Sequence, residues 1–297
     1  MTPGHCLLAL ATVIIWGFNF VVITWGLRGL PPVLFTAMRF ICASIPLVFF
    51  LPRPRISWRL LAGYAFFMFV VQFTLLFVGM KSGMPAGLSS LVIQLQVFFT
   101  IGLAAAFLGD RPRIAQLSGA IIALAGMVLV GVHIEARGTS IGFAMVLAAS
   151  LSWATGNLFI KRIGAIDPLA LVAWGSLLAA PCLLAAALAL EGPRTLWIAL
   201  THLSKTSVAA VLFQAYPTTV FGFGAWSFLM RRYPTATIAP FALLVPVFGI
   251  LSGTLFLGEP LTWWKVVAGL LVIGGLAINQ FGDRGEKHYA EDRRKAW

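Results

Sequence analysis

The sequence predicts an all-α integral membrane protein: ten transmembrane helices arranged as two inverted five-helix repeats. Composition is the first reason. Of 297 residues, 60% are hydrophobic and only 10% charged, against about 25% charged in a soluble domain, and mean hydropathy is +0.95. Segment length is the second, because roughly 20 apolar residues cross a bilayer core as helix and ten stretches meet that need. The third is internal repetition. Residues 85–131 align without a gap to residues 234–280, always 149 positions apart, with eight identities in 47 positions. Pro85 falls over Pro234, Phe107-Leu108-Gly109-Asp110 over Phe256-Leu257-Gly258-Glu259, and Gly126 over Gly275. Two apolar helices reach part of that identity by chance, but not the aligned Phe-Leu-Gly-acid turn. A period of half the chain marks a duplicated membrane unit, since solenoid repeats are far shorter.

Span one covers 6–27. A cleaved signal peptide fits poorly, because the small-x-small site Ala9-Leu10-Ala11 leaves an apolar region below the usual 7–15 residues. Span two, 32–51, holds Arg39 and Pro46; span three, 59–80, holds Gln72. Span four, 85–108, opens the repeated window and ends at the first Phe-Leu-Gly-acid turn. Span five is 114–131 and span six 140–160, with Trp153-Ala-Thr-Gly-Asn157 echoing Trp16-Gly-Phe-Asn19. Span seven, 168–190, places Pro181 at the depth of Pro46. Residues 191–206 form the one long connection, read as a short external segment anchored by Trp197. Span eight is 207–230, span nine 234–257 and span ten 262–281. From Asp283 the chain is charged and without apolar periodicity, which predicts a solvated end. All ten runs are apolar all round, whereas barrel strands alternate over about ten residues.

Dividing the chain near residue 135 gives each half five spans: 1–135, then 136–282, then a charged tail over 283–297. Five is odd, so the second copy enters the membrane upside down. The net charge of +12 has a membrane explanation rather than a nucleic-acid one. Fourteen basic residues collect on the face carrying both termini and six on the other, with Arg39 alone inside a span, and basic residues mark the cytoplasmic side. Both termini are therefore expected in the cytoplasm. Cys6, Cys42 and Cys182 fall within spans and are read as small packing residues rather than a disulfide or metal framework.

All nine acidic residues lie in loops, at span ends or in the tail. Proton relays rely on intramembrane Asp, Glu or His, and only His5 and His133 come near a span, both at ends. The same absence excludes an assembled metal cluster or acid–base pair, so no enzyme, metal or cofactor is expected. Arg39 is the exceptional charge. An arginine at a helix centre costs about 2.5–3.5 kcal/mol on insertion scales, and two readings stand: a structural arginine bonded to carbonyls, or a clamp for a substrate carboxylate. Neutral polar residues cluster as well. Ser90 and Gln94 share a face at i, i+4, Trp153 and Asn157 do likewise, and Trp16 and Asn19 are at i, i+3. Gln72, Gln214 and Tyr216 add amide and phenol groups. Each serves either as a bond between helices, worth about 0.6–2 kcal/mol, or as part of a polar cavity; as a set they point to the cavity. Gly249 and Gly253 predict close packing of spans four and nine. Pro217, Pro240 and Pro246 are kinks or hinges.

The chain resembles the ten-helix EamA-type branch of the drug/metabolite transporter superfamily. The resemblance runs the whole length, through Trp16-Gly-Phe-Asn19, Met38-Arg39-Phe40, Gly83-Met-Pro-Ala-Gly-Leu-Ser-Ser-Leu-Val92, Gln94-Leu-Gln96, Gly109-Asp-Arg111, Ser152-Trp-Ala-Thr-Gly-Asn157, Leu243-Leu-Val-Pro246-Val-Phe-Gly249 and Gly258-Glu259. It looks most like bacterial inner-membrane amino-acid exporters, which implies export of amino acids and related metabolites. The small four-helix members carry a glutamate in their first helix, where this chain has Asn19 and no acid; proton antiport by that route does not carry over.

The resulting expectation is a secondary exporter of small zwitterions, amino acids including aromatic ones, working by alternating access between inverted halves. The expected substrate lining is Ser90, Gln94, Trp153, Asn157, Gln214, Tyr216, Asn19, Gln72 and Arg39. The expected partners are the small-molecule substrate and the lipid bilayer, with no nucleic acid; the oligomeric state stays open, a monomer included. Efflux of aromatic cations, permitted by 24 Phe and 10 Trp through cation–π contacts, is the second transporter reading. A channel or membrane scaffold is the reading from another class.

Overall fold

The computed structural model describes residues 1–109, 114–133, 137–164, 166–233, 238 and 241–295. Ten long helical segments run in the predicted order. They are Pro3–Gly26, Pro32–Val48, Trp58–Lys81, Ala86–Leu108, Ile114–Val132, Arg137–Ile163, Pro168–Glu191, Lys205–Arg232, Leu244–Leu257 and Trp263–Lys295, here spans one to ten. Spans one to eight begin and end within three residues of expectation. Asp110, Pro234, Ala239 and Pro240 lie outside the described residues. The 191–206 connection holds a short helix, Pro193–Thr201, with Trp197 exposed.

The charged end of the chain is helical, span ten continuing from Trp263 to Lys295. The sequence there has no proline and spaces Asp283 from Lys287, and Glu291 from Lys295, at i, i+4, which favours helix without any apolar face. Cys182 departs from its reading as a packing residue, being exposed, while Cys6 and Cys42 are half-buried.

The duplication is visible in the packing. Span one packs on span nine as span six packs on span four, and span three on span six as span eight on span one. The pairs two–seven, four–nine and five–ten are their own counterparts. In the last pair the correspondence reaches single residues: Gly126 abuts Ala268, and Gly275, 149 positions on, abuts Gly119, 149 positions before Ala268. Spans four and nine approach as the glycines predict, since a Cβ on Gly249 would lie 2.1 Å from the Ser90 hydroxyl oxygen. Both Phe-Leu-Gly turns end their helices with a left-handed glycine, Gly109 at φ 71° and Gly258 at φ 69°, the usual way to terminate a helix without a Cβ clash.

Helix starts show a division of labour. Thr2, Ser57, Asp167 and Ser204 cap spans one, three, seven and eight with their own side chains. Spans two and four begin after Pro31 and Pro85, which have no capping group. Their orphan first-turn N–H groups are satisfied from the other half. Val33 and Leu34 donate to Glu191 at 2.6 and 3.0 Å, and Ala86 and Gly87 donate to Glu259 at 2.6 and 3.1 Å. Outward, Phe49, Ile121, Leu124, Leu255 and Leu270 are exposed, an apolar belt that suits lipid and would aggregate in water.

Candidate polar site between spans one, two and eight

Spans three and eight each widen into a π-helical stretch at equivalent places, Phe66–Val71 and Gln214–Phe221. Such stretches recur at functional sites because they release backbone groups from the α ladder. In span eight Pro217 sits inside the stretch and has no N–H to give. The Gly222 N–H donates to the Pro217 and Thr219 carbonyls. The Thr218 carbonyl between them accepts from Trp16 Nε1 at 3.1 Å.

The wide turn also brings Gln214 and Thr219 together: the Thr219 hydroxyl donates to the Gln214 carbonyl at 2.8 Å. A hydroxyl has one proton, so Thr219 then presents only lone pairs, and these accept from Arg39 Nε at 3.3 Å and Nη2 at 3.1 Å. The guanidinium lies 4.2 Å from the Phe73 ring centroid and 5.1 Å from that of Phe40, within cation–π range. Gln214 Nε2 donates to the Asn19 carbonyl at 3.4 Å, and Thr218 Oγ1 to Asn19 Oδ1 at 2.9 Å. Asn19, Arg39, Gln214, Thr218 and Thr219 thus form one buried network joining spans one and two to span eight.

The other expected residues are placed differently. Asn157 is engaged sideways, donating to Gln96 Oε1 at 2.8 Å and Thr100 Oγ1 at 3.0 Å, which ties span six to span four. Ser90 donates back to the Gly87 carbonyl at 2.6 Å and is pressed against Gly249. Gln94 is buried on a short 3₁₀ turn of span four, and Trp153 packs half-buried against the core. Gln72 is buried in span three. Tyr216 is 42% exposed while Gln214 is fully buried; two residues apart on a helix they point to nearly opposite sides, so they do not share a face. A cavity of about 610 Å³ does occur, but between spans four, five and six, where Phe98, Phe99, Leu124, Met127 and Phe143 line it and none of the nine expected residues does. Among the described residues no group of three His, Cys, Asp or Glu is placed to hold a metal.

Sequence reasoning missed Thr218 and Thr219. Two threonines in an apolar helix carry no signal by themselves; the adjoining Pro217, flanked by Gln214, was the cue available.

A family model described as the EamA-like transporter family matches residues 4–132 and again 140–280. The chain belongs to the EamA-like transporter family. Two matches, one per five-helix half, fit the packing symmetry, and an EamA-like transporter is a membrane carrier rather than an enzyme. Among curated relatives, a "probable amino-acid metabolite efflux pump" of Salmonella typhimurium is 41% identical over 93% of this chain and 95% of its own length. A protein of the same description in Escherichia coli is 40% identical over 97% of this chain and 98% of its own. An uncharacterized transporter of Archaeoglobus fulgidus is 28% identical over 90% and 95%. A solved crystal structure superposes with a TM-score of 0.65 over 96% of this EamA-like chain and 99% of its own, at 20% identity, which shows a shared fold.

Proposed function

We propose that this EamA-like transporter exports small zwitterionic metabolites, amino acids including aromatic ones, across the bacterial inner membrane by alternating access. The observation that carries the reading is the buried network of neutral amides and hydroxyls around one arginine at the junction of the two halves. It offers a net-neutral solute both charged and neutral polar partners, and the spans supply no interior carboxylate for a lipophilic cation. The names of the Salmonella and E. coli relatives point the same way. In this reading Asn19, Arg39, Gln72, Gln94 and Gln214 line the centre of the path, with Ser90, Trp153, Asn157 and Tyr216 around it. Repeats 1–135 and 136–282 exchange conformations, and the basic-residue split puts both termini and the 283–297 tail in the cytoplasm.

The test is counterflow of labelled amino acids in proteoliposomes of the purified protein. Saturable uptake of phenylalanine, competed by unlabelled amino acids and not by a lipophilic aromatic cation, is the expected result. Competition by the cation alone moves the assignment to drug efflux, and flux rising linearly without saturation moves it to a channel.

A further inference from the structure

The network around Arg39 is incomplete in a specific way. Arg39 is 2% exposed and uses Nε and Nη2 on Thr219, yet its Nη1 has no partner. Gln214 is fully buried and uses Nε2 on Asn19, yet its Oε1 has no partner. Gln72 Oε1 is also buried and unpartnered, one residue before the Phe73 ring that faces the guanidinium. Native interiors leave few such groups, and each one calls for an explanation.

What is missing has a definite polarity. The orphan donor belongs to a guanidinium, whose planar fork matches a carboxylate with two parallel bonds. A single threonine oxygen, shared between two N–H groups, occupies that place instead. The orphan acceptors are two amide oxygens, which suit an N–H-bearing cation. No acidic side chain lies within any of the ten apolar stretches of the sequence, so the membrane core does not supply the anion itself.

We infer that Arg39 receives the α-carboxylate and that Gln214, with Gln72, receives the α-ammonium group of a bound zwitterion, Thr219 holding the guanidinium between loads. This rests on the proposed transport of zwitterions and adds which atoms read which end of the substrate. It also gives the π-helical stretch a role. Gln214 and Thr219 are five apart, and the wide turn brings the Gln214 backbone carbonyl within reach of the hydroxyl that the carboxylate displaces. Thr219, on span eight, is the group whose bonds to Arg39 the carboxylate replaces.

The experiment uses the full chain in proteoliposomes with three probes: L-phenylalanine, its methyl ester, which lacks the carboxylate, and 3-phenylpropionate, which lacks the ammonium. In wild type each analogue is expected to compete about tenfold or more weakly than phenylalanine, the loss of roughly one charge-assisted hydrogen bond. Arg39→Gln should raise the phenylalanine KM by about 10- to 100-fold while leaving the ester's competition unchanged, so discrimination against the ester disappears. Gln214→Leu should abolish discrimination against 3-phenylpropionate instead. Arg39→Lys keeps the test decisive where Arg39→Gln does not fold: the lysine keeps the charge and loses the fork, giving an intermediate KM. A purely structural arginine would lower thermal stability in the Arg39 variants and leave the ratios between probes untouched, which overturns the inference. So does wild-type transport of phenylalanine and its ester with equal affinity, the transport reading then surviving by itself. A wild-type protein neither thermally stabilised by nor transporting any amino acid overturns both.

Discussion

Gly275→Leu is expected to force spans five and ten apart and to lower the stability of the whole protein. A Cβ at Gly275 would lie 2.4 Å from the Gly119 carbonyl oxygen and 3.0 Å from the Ala123 nitrogen, and a Cβ at Gly119 would meet the Gly275 oxygen at 2.4 Å. These are backbone atoms, which cannot turn aside like the end of a flexible side chain. The two helices must separate, and in lipid the packing so lost is the main force between them, because hydrocarbon is no less apolar than leucine. Overpacking a well-packed interior costs about 1–3 kcal/mol where side chains can shift. With backbone in the way the upper end or more is expected, a fall of about 6–12 °C in the unfolding midpoint of the detergent-solubilised protein. Gly274→Leu is the control: nothing lies within 4 Å of a Cβ there, so its midpoint should stay within about 2 °C of wild type. Equal losses at the two neighbouring positions would show that the contact does not decide stability.

That contrast also marks what was legible in the sequence. Lipid forces every spanning helix to be apolar along its length, so spans one to eight could be read to within three residues, and the 149-residue offset gave the symmetry. Contacts were harder. The offset aligned Gly126 with Gly275, but nothing in one dimension says that their partners are Ala268 and Gly119. The buried polar network was half legible for a related reason. Arg39, Asn19 and Gln214 stand out chemically in an apolar background, whereas Thr218 and Thr219 do not, and their part depends on the wide turn around Pro217. Tyr216 was grouped with Gln214 by chemistry alone; helical geometry sends it the other way. Asn157 and Ser90 looked equivalent to Gln214 as polar groups in spans. Only their bonds, to Gln96 and Thr100 and to Gly87, separate sideways ties from groups left unpaired.

Glu259→Gln is expected to open the face of the protein opposite the N-terminus. Odd-numbered spans end on that face and even-numbered spans begin there. Glu191 and Glu259, at the ends of spans seven and nine, meet the starts of spans two and four on it, so both bonds join the second half to the first. Glu259 is half-buried and closely packed: its carboxylate lies 2.8 Å from a Cβ position on Gly253 and 3.0 Å from one on Gly87, so glycine at both places is what lets it reach the helix start. The arrangement suits a reversible latch. Pro31 and Pro85 leave the N–H groups without a local cap, and a remote carboxylate that withdraws hands them to water when the face opens. Replacing it by an amide removes the charge that the helix dipole favours and leaves one acceptor where there were two. A charge-assisted hydrogen bond is worth about 1.5–3 kcal/mol, and 1.4 kcal/mol is about tenfold in an equilibrium. A cysteine introduced at Ser89, fully buried in the first turns of span four, reports the opening in a background with Cys6, Cys42 and Cys182 replaced by serine. Labelling of that cysteine by an impermeant maleimide should run at least about tenfold faster with Glu259→Gln. Glu191→Gln, acting on a different helix pair, should multiply the effect rather than merge with it, and under the proposed alternating access flux should fall in both variants. Labelling that stays at the parent rate in the double variant would mean that these carboxylates cap helices without gating the path.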